Sequence, residues 1–284
     1  MNAPGRRIVA GAVVQGAGHL ATGRGCQDAF RVAAAPDGSA LVLAVADGAG
    51  SRERSALGAH LAVDAACRHL LATPPPPADA GAADWRAWLD ERSGAVLDGW
   101  STAVRALLAA DGRAAAGDPD GGGTGSGEQT LAATLAAAVL RPPWVVFLQV
   151  GDCFGAVLSR PDGHRGEVCR LALPAQRPAD FLSTPGAGER AVTSVLYEPS
   201  LSGVVLATDG CAPLALDHPS VLGLPPEHGP VPSARFFQPL AAALRANGGD
   251  AQPLHALLSG PEAARSGDDL TVLCALAPGG GPWS

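Results

Sequence analysis

The stretch Leu41-Val42-Leu43-Ala44-Val45-Ala46-Asp47-Gly48-Ala49-Gly50 decides how the rest of the chain is read. Six apolar residues in a row predict a strand buried on both faces. The strand delivers a carboxylate into Asp47-Gly48. A glycine at that point lets the backbone turn and bring a carbonyl close to whatever the acid holds. A buried, unpaired Asp is costly, so a cation or several donors are expected beside it. The same pattern recurs at Gly203-Val204-Val205-Leu206-Ala207-Thr208-Asp209-Gly210. It appears again, reversed, at Gly267-Asp268-Asp269-Leu270-Thr271-Val272-Leu273. Three acids at strand ends predict one acidic cluster at the mouth of a sheet. Hard oxygen ligands of that kind suit magnesium or manganese.

The chain has 284 residues, 47% of them hydrophobic, and the motifs span nearly its whole length. One large domain over residues 1–284 is expected, with its core between residues 8 and 277. Net charge is -7, from 20 basic and 27 acidic residues, and no basic patch is visible. Nucleic acid is therefore not an expected partner. No apolar run approaches the ~20 residues that span a bilayer, and residues 1–9 lack an apolar signal region. No membrane partner is expected either. The cysteines Cys26, Cys67, Cys153, Cys169, Cys211 and Cys274 are scattered, with no Cys-x-x-Cys pair. This argues against a zinc site or disulfide framework and fits a reducing cytoplasm.

Along the chain, residues 8–15 predict a first strand and residues 16–25 a glycine-rich loop carrying His19 and Arg24. Residues 28–35 and 40–46 predict strands joined at Pro36-Asp37-Gly38. Ser55 is placed to cap a helix reaching about residue 71, with Leu57, Leu61, Ala65 and Leu70 on one face. Residues 84–108 predict a second helix with Trp85, Trp88, Leu89, Val96, Trp100, Val104 and Leu107 as its stripe; Gly94 and Gly99 count against it. The Gly/Ala/Asp-rich residues 111–127 read as a mobile loop. Gly121 to Gly127 has no Lys and no preceding apolar strand, so it reads as a linker and not a phosphate cradle. Strands at 130–140, 144–151 and 154–159 read as neighbours, with Asp152-Cys153 as a hairpin turn between the last two. Strands follow at 166–173, 191–197 and 203–207. A Pro-rich excursion covers residues 213–232, helices cover 233–245 and 252–258, and a last strand covers 269–277. This order does not alternate as a βαβ fold does. It predicts an α+β domain with helices packed on antiparallel sheets.

Five pieces, Cys26-Gln27-Asp28-Ala29, Ala46-Asp47-Gly48-Ala49-Gly50, Val150-Gly151-Asp152, Ala207-Thr208-Asp209-Gly210 and Asp268-Asp269-Leu270-Thr271-Val272, stand in the order and spacing of one family. With them the chain resembles the metal-dependent protein phosphatases of the 2C type, over about residues 8–277. The His19, Gly23, Cys26-Gln27-Asp28 opening resembles a bacterial branch. The resemblance implies a central antiparallel β-sandwich flanked by helices on both faces. It implies a Ser/Thr phosphatase using a water activated between two Mn²⁺ or Mg²⁺ ions. Asp47 would bridge both metals, the Gly48 carbonyl would help hold one, and Asp209 and Asp268 the other. Asp28 would act through bound water, and Asp152 matches the acid that recruits a third metal. Asp269 reads as a support. The implied partners are phosphorylated proteins, the substrates of a cognate Ser/Thr kinase.

Four departures from the family pattern stand out. The phosphate-clamping Arg position, five residues before Asp28, is Gly23; His19 and Arg24 are the candidates to replace it. The usual acid before Asp28 is Gln27, the His of Asp-Gly-His-Gly is Ala49, and a second acid after Asp209 is Pro213. One alternative is a catalytically weak or inactive relative serving as a regulatory binding module. Another is a phosphatase with an aspartyl nucleophile, which needs Asp-x-Asp where the chain has Val45-Ala46-Asp47.

Overall fold

The computed structural model describes residues 7–111, 127–162, 166–174, 180–278 and 283. The predicted loop between residues 111 and 127 lies, apart from its ends, outside the described residues.

The all-apolar strand splits its side chains by the period of two. In the strand Leu41–Ala46, residues Leu41, Leu43 and Val45 enter one core, while Val42, Ala44 and Ala46 enter another. A strand apolar on both faces must have something packed on each, and that requirement generates four layers.

The strands in chain order are β1 Ile8–Val14, β2 Ala29–Ala34, β3 Leu41–Ala46, β4 Leu135–Arg141, β5 Trp144–Val150, β6 Phe154–Ser159, β7 Val168–Leu173, β8 Val192–Tyr197, β9 Leu201–Ala207, β10 Leu216–Asp217, β11 Val231–Pro232 and β12 Leu270–Leu276. One sheet has the order β1-β12-β9-β6-β7 and the other β2-β3-β4-β5-β8. All pairings in both are antiparallel. Their facing sides bury Leu43, Phe147, Val157, Leu206 and Leu273 between them.

The helices are α1 Ala17–Ala21, α2 Ser55–Leu70, α3 Ala82–Ala110, α4 Ala187–Arg190, α5 Ala212–Ala215, α6 Ala234–Ala246 and α7 Gln252–Leu258. Helix α2 lies on the sheet containing β3, and α3 packs on α2. Helices α6 and α7 cover the other sheet through Phe236, Phe237, Leu240, Leu244, Leu254 and Leu258. The predicted sandwich with helices on both faces is the observed fold.

Several local expectations change. Helix α3 runs through Gly94 and Gly99. A Cβ at Gly99 would stand 2.1 Å from the His69 ring of α2, so this glycine serves close helix packing. The buried stripe of α2 consists mainly of small residues, Ala59, Ala62, Val63 and Ala66, and Leu57 is exposed. Ser55 is the first helical residue rather than the cap, and its hydroxyl donates to the Arg52 carbonyl at 3.1 Å. The glycine-rich residues 16–25 contain α1, and the 213–232 excursion contains the β10–β11 ladder. Most consequential, β5 and β6 are not neighbours. The chain crosses from one sheet to the other at Gly151-Asp152-Cys153, with Gly151 at φ 94°. Two strands that are almost wholly apolar and buried along their length carry no mark of which sheet they join. Among the described residues no helix is long and apolar enough to cross a membrane.

Candidate metal centre

Each candidate acid sits where a strand ends. Asp47 follows β3, Asp152 lies in the crossover after β5, Asp209 follows β9, and Asp268 and Asp269 precede β12. The two sheets thus bring acids from both layers to one end of the sandwich. Carboxylate oxygens of Asp47, Asp152 and Asp209 lie within 4.8 Å of one another. Asp268 is not part of that close group. Its side chain is 44% exposed, and its Oδ1 accepts the Asp269 N–H at 2.9 Å.

The main chain around Asp47 is pinned by Thr134, whose N–H donates to the Asp47 carbonyl at 2.8 Å while its hydroxyl accepts the Asp47 N–H at 3.0 Å. The glycines after the acids have a physical reason, though not the expected one. Neither Gly48 nor Gly210 has a positive φ. A Cβ at Gly48 would meet the Ser55 carbonyl carbon at 2.6 Å, and one at Gly210 the Asp269 carbonyl oxygen at 2.0 Å. These positions are kept small by backbone pressed on backbone, not by turn geometry.

Asp28 is 6% exposed. Its Oδ2 accepts the hydroxyls of Thr208 at 2.8 Å and Thr271 at 2.7 Å, while Oδ1 is buried with no hydrogen-bond partner. These two threonines escaped the sequence reading. Both stand inside quoted motifs, beside Asp209 and two residues after Asp269, but a Thr in a strand reads first as a β-former.

Asp269 is 1% exposed and organises the opening loop. Its Oδ1 accepts the Gly16 N–H at 2.7 Å and its Oδ2 the Gln27 N–H at 2.6 Å. Between those anchors lie His19 and Arg24. His19 Nδ1 stands 2.9 Å from Asp269 Oδ2, a close approach without the direction of a hydrogen bond. His19 Nε2 is 3.8 Å from Asp268 Oδ1. The Arg24 guanidinium donates to the Gly50 carbonyl. The loop therefore sets His19 beside Asp268 and Asp269, and Arg24 against Gly50, three residues past Asp47.

The charge balance is one-sided. Among the described residues no arginine forms an ion pair with Asp28, Asp47, Asp152 or Asp209. Burial, followed by repulsion from Asp28, Asp209 and Asp268, drives the Asp47 pKa well above the carboxylate range. Burial also raises Asp28 against the two threonine hydroxyls. Burial, then Asp152 and Asp268, bring Asp209 to about 6. Asp152 is raised by burial, and its Oδ1 is buried without a partner. Carboxylates crowded together, with orphaned oxygens and no arginine paired to them among the described residues, fit hard divalent cations.

All six cysteines are free. Burial pushes the Cys26 thiol up to about 12 and Cys153 well above its ordinary value. Neither has the thiolate character a nucleophile needs.

The sequence model of the protein phosphatase 2C family matches residues 15–259. The chain belongs to the protein phosphatase 2C family. It is a phosphoprotein phosphatase by that membership, and solved phosphatases share its fold. A serine-threonine phosphatase 2C from Toxoplasma gondii is 13% identical, with 98% of each chain covered and a TM-score of 0.58. Stp1 from Staphylococcus aureus is 12% identical, with 98% of each chain covered and a TM-score of 0.51. The Mycobacterium tuberculosis phosphatase PstP/Ppp is 16% identical, covering 95% of this chain and 99% of its own, with a TM-score of 0.50. At such identities the likeness speaks for the fold. No curated protein sequence matches the phosphatase.

Proposed function

We propose that the phosphatase hydrolyses phosphoserine and phosphothreonine in proteins, using two divalent cations, manganese or magnesium. The observation that carries this reading is the convergence of Asp47, Asp152 and Asp209 oxygens to within 4.8 Å, with no arginine paired to them among the described residues. Asp47 would be shared between the ions. Gly48, through its carbonyl, and Asp28, through water, would serve one; Asp209 and Asp268 would serve the other. Asp152 lies close enough to Asp47 and Asp209 to serve a further ion. When bound, such ions neutralise phosphate charge and make a water more acidic.

The chain's own residues orient the rest. Thr208 and Thr271 hold Asp28 by one oxygen, which leaves the other free. Asp269 fixes both ends of the loop from Gly16 to Gln27 and so sets the reach of His19 and Arg24. Arg24 has donors beyond the one given to Gly50, and a planar guanidinium suits two phosphate oxygens at once. It would supply the clamp that Gly23 cannot. His19, held between Asp268 and Asp269, would offer a further hydrogen bond at the reacting phosphate.

The substrates in this reading are phosphoproteins of a cytoplasmic Ser/Thr kinase, and the whole chain acts as one catalytic domain. The presence of all three core acids, Asp47, Asp209 and Asp268, favours an enzyme over a non-catalytic binding module. The test is hydrolysis of a phosphothreonine peptide with added Mn²⁺. Loss of turnover in excess EDTA, with none on thiol alkylation, is the expected result. Full turnover in EDTA overturns the reading.

A further inference from the structure

The chain contains no lysine, so all 20 of its basic residues are arginine. Ion pairs occupy many of those described, but Arg24 and Arg52 have no carboxylate partner among the described residues. Both line one open pocket of about 320 Å³, together with Gln27, Gly50 and Glu53. Both side chains reach solvent. Arg24 gives one donor to Gly50, and the Arg52 guanidinium makes no hydrogen bond among the described residues.

The pocket shares its wall with the metal loops. Gln27 immediately precedes Asp28; its N–H is held by Asp269, and its carbonyl accepts the Gly48 N–H at 3.1 Å. Gly50 is three residues past Asp47. One carboxylate, Glu53, stands against two guanidinium groups, so the pocket is a positive spot on a chain of net charge -7. Exposed, unpaired guanidiniums beside a site that takes phosphoproteins attract acidic groups and repel basic ones.

We propose that this pocket is a specificity subsite, with Arg52 as its determinant, for an aspartate or glutamate that flanks the phosphorylated residue. The proposal rests on the phosphoprotein phosphatase reading above. Arg24 serves both the scissile phosphate and the near edge of the subsite. Arg52 meets only the flanking carboxylate, and Glu53 limits how strongly the pocket holds an anion, which favours release of product.

The experiment uses the full chain with Mn²⁺ and two phosphothreonine peptides, identical except for Glu or Gln residues around the phosphoresidue. The expected kcat/KM ratio is about fivefold in favour of the Glu peptide, the upper end for a solvent-exposed ion pair. Arg52→Gln should bring that ratio to about one, mainly through KM, and Arg52→Glu should invert it. A second arm measures anisotropy of a labelled, unphosphorylated Glu peptide with Mn²⁺, where nothing turns over. Wild type should bind it more tightly than Arg52→Gln. Equal ratios in wild type and Arg52→Gln overturn the subsite while leaving the phosphatase reading intact. Absence of all phosphopeptide hydrolysis overturns the phosphatase reading, and the anisotropy arm then still decides the subsite.

Discussion

The Asp269 carboxylate accepts the main-chain N–H of Gln27 at 2.6 Å, across 242 positions of sequence. Its other oxygen holds Gly16 at 2.7 Å. One buried side chain thereby closes the loop that carries His19 and Arg24, and ties that loop to the strand start bearing Asp268.

Asp269→Asn should therefore act at two levels. Replacing one acceptor oxygen by an amide leaves a buried N–H without its partner and costs on the order of 2 kcal/mol. Urea denaturation should show that loss, and the KM for a phosphopeptide should rise because the loop no longer sets Arg24. Unchanged midpoint and KM would mean the loop is fixed by other contacts.

Thr208 and Thr271 hold the same oxygen of Asp28, and the Thr208 hydroxyl also accepts the Thr271 N–H at 3.0 Å. Thr271→Val alone should cost about 1 kcal/mol, since one donor remains. The double change to Val should cost more than the sum of the singles, because Asp28 then keeps no donor. A double-mutant cycle by thermal denaturation measures this, and strict additivity would count against the shared role.

Away from the centre, Glu167 accepts Arg245 Nη1 at 3.0 Å and Nη2 at 2.7 Å, and also takes the Ser202 hydroxyl. Burial alone would raise the Glu167 pKa, but the hydrogen bonds from Arg245 and Ser202 override it and hold the group below its ordinary 4.5. A lowered folded-state value stabilises the fold above the unfolded value, and that stability is lost as pH falls through the folded value. Wild type should melt above Glu167→Gln at pH 7, with the gap closing below about pH 4.5. A gap constant down to pH 3 would refute the assignment.

If the acids hold cations only in the folded state, Mn²⁺ at a hundred times its dissociation constant should add about 2.7 kcal/mol of stability per site. Differential scanning calorimetry should show the melting temperature rising with Mn²⁺ and returning with EDTA. A melting temperature indifferent to Mn²⁺ would remove the folded-state site.

Much of this was legible in the residues. Leu41 to Ala46 announced a strand covered on both sides, and the Asp-Gly strand ends announced where acids would gather. What stayed hidden depended on long-range partners. Nothing in Trp144 to Val150 or Phe154 to Ser159 says that one strand joins each sheet. The pattern alone therefore placed Asp152 in a hairpin turn, and only the family resemblance marked it as a metal acid, when it sits in a crossover near Asp47 and Asp209. The short helix Ala17–Ala21 lies in a glycine-rich segment with little propensity of its own. It is fixed by tertiary bonds, Gly18 N–H to the Gly267 carbonyl at 2.9 Å and Gly16 to Asp269. The threonine donors to Asp28 were invisible for the same reason, since their partner lies 180 and 243 positions away.

The central claim is that Asp47 joins a pair of cations at the end of the sandwich. The most direct measurement is the number of Mn²⁺ ions bound per chain, by titration calorimetry of wild type and Asp47→Asn side by side. Asp47→Asn keeps the shape of the side chain and removes its charge. Wild type should bind two ions. In Asp47→Asn the affinity should fall by more than about a hundredfold, beyond what the loss of a merely supporting residue costs. Two ions bound with near wild-type affinity by Asp47→Asn would contradict the account.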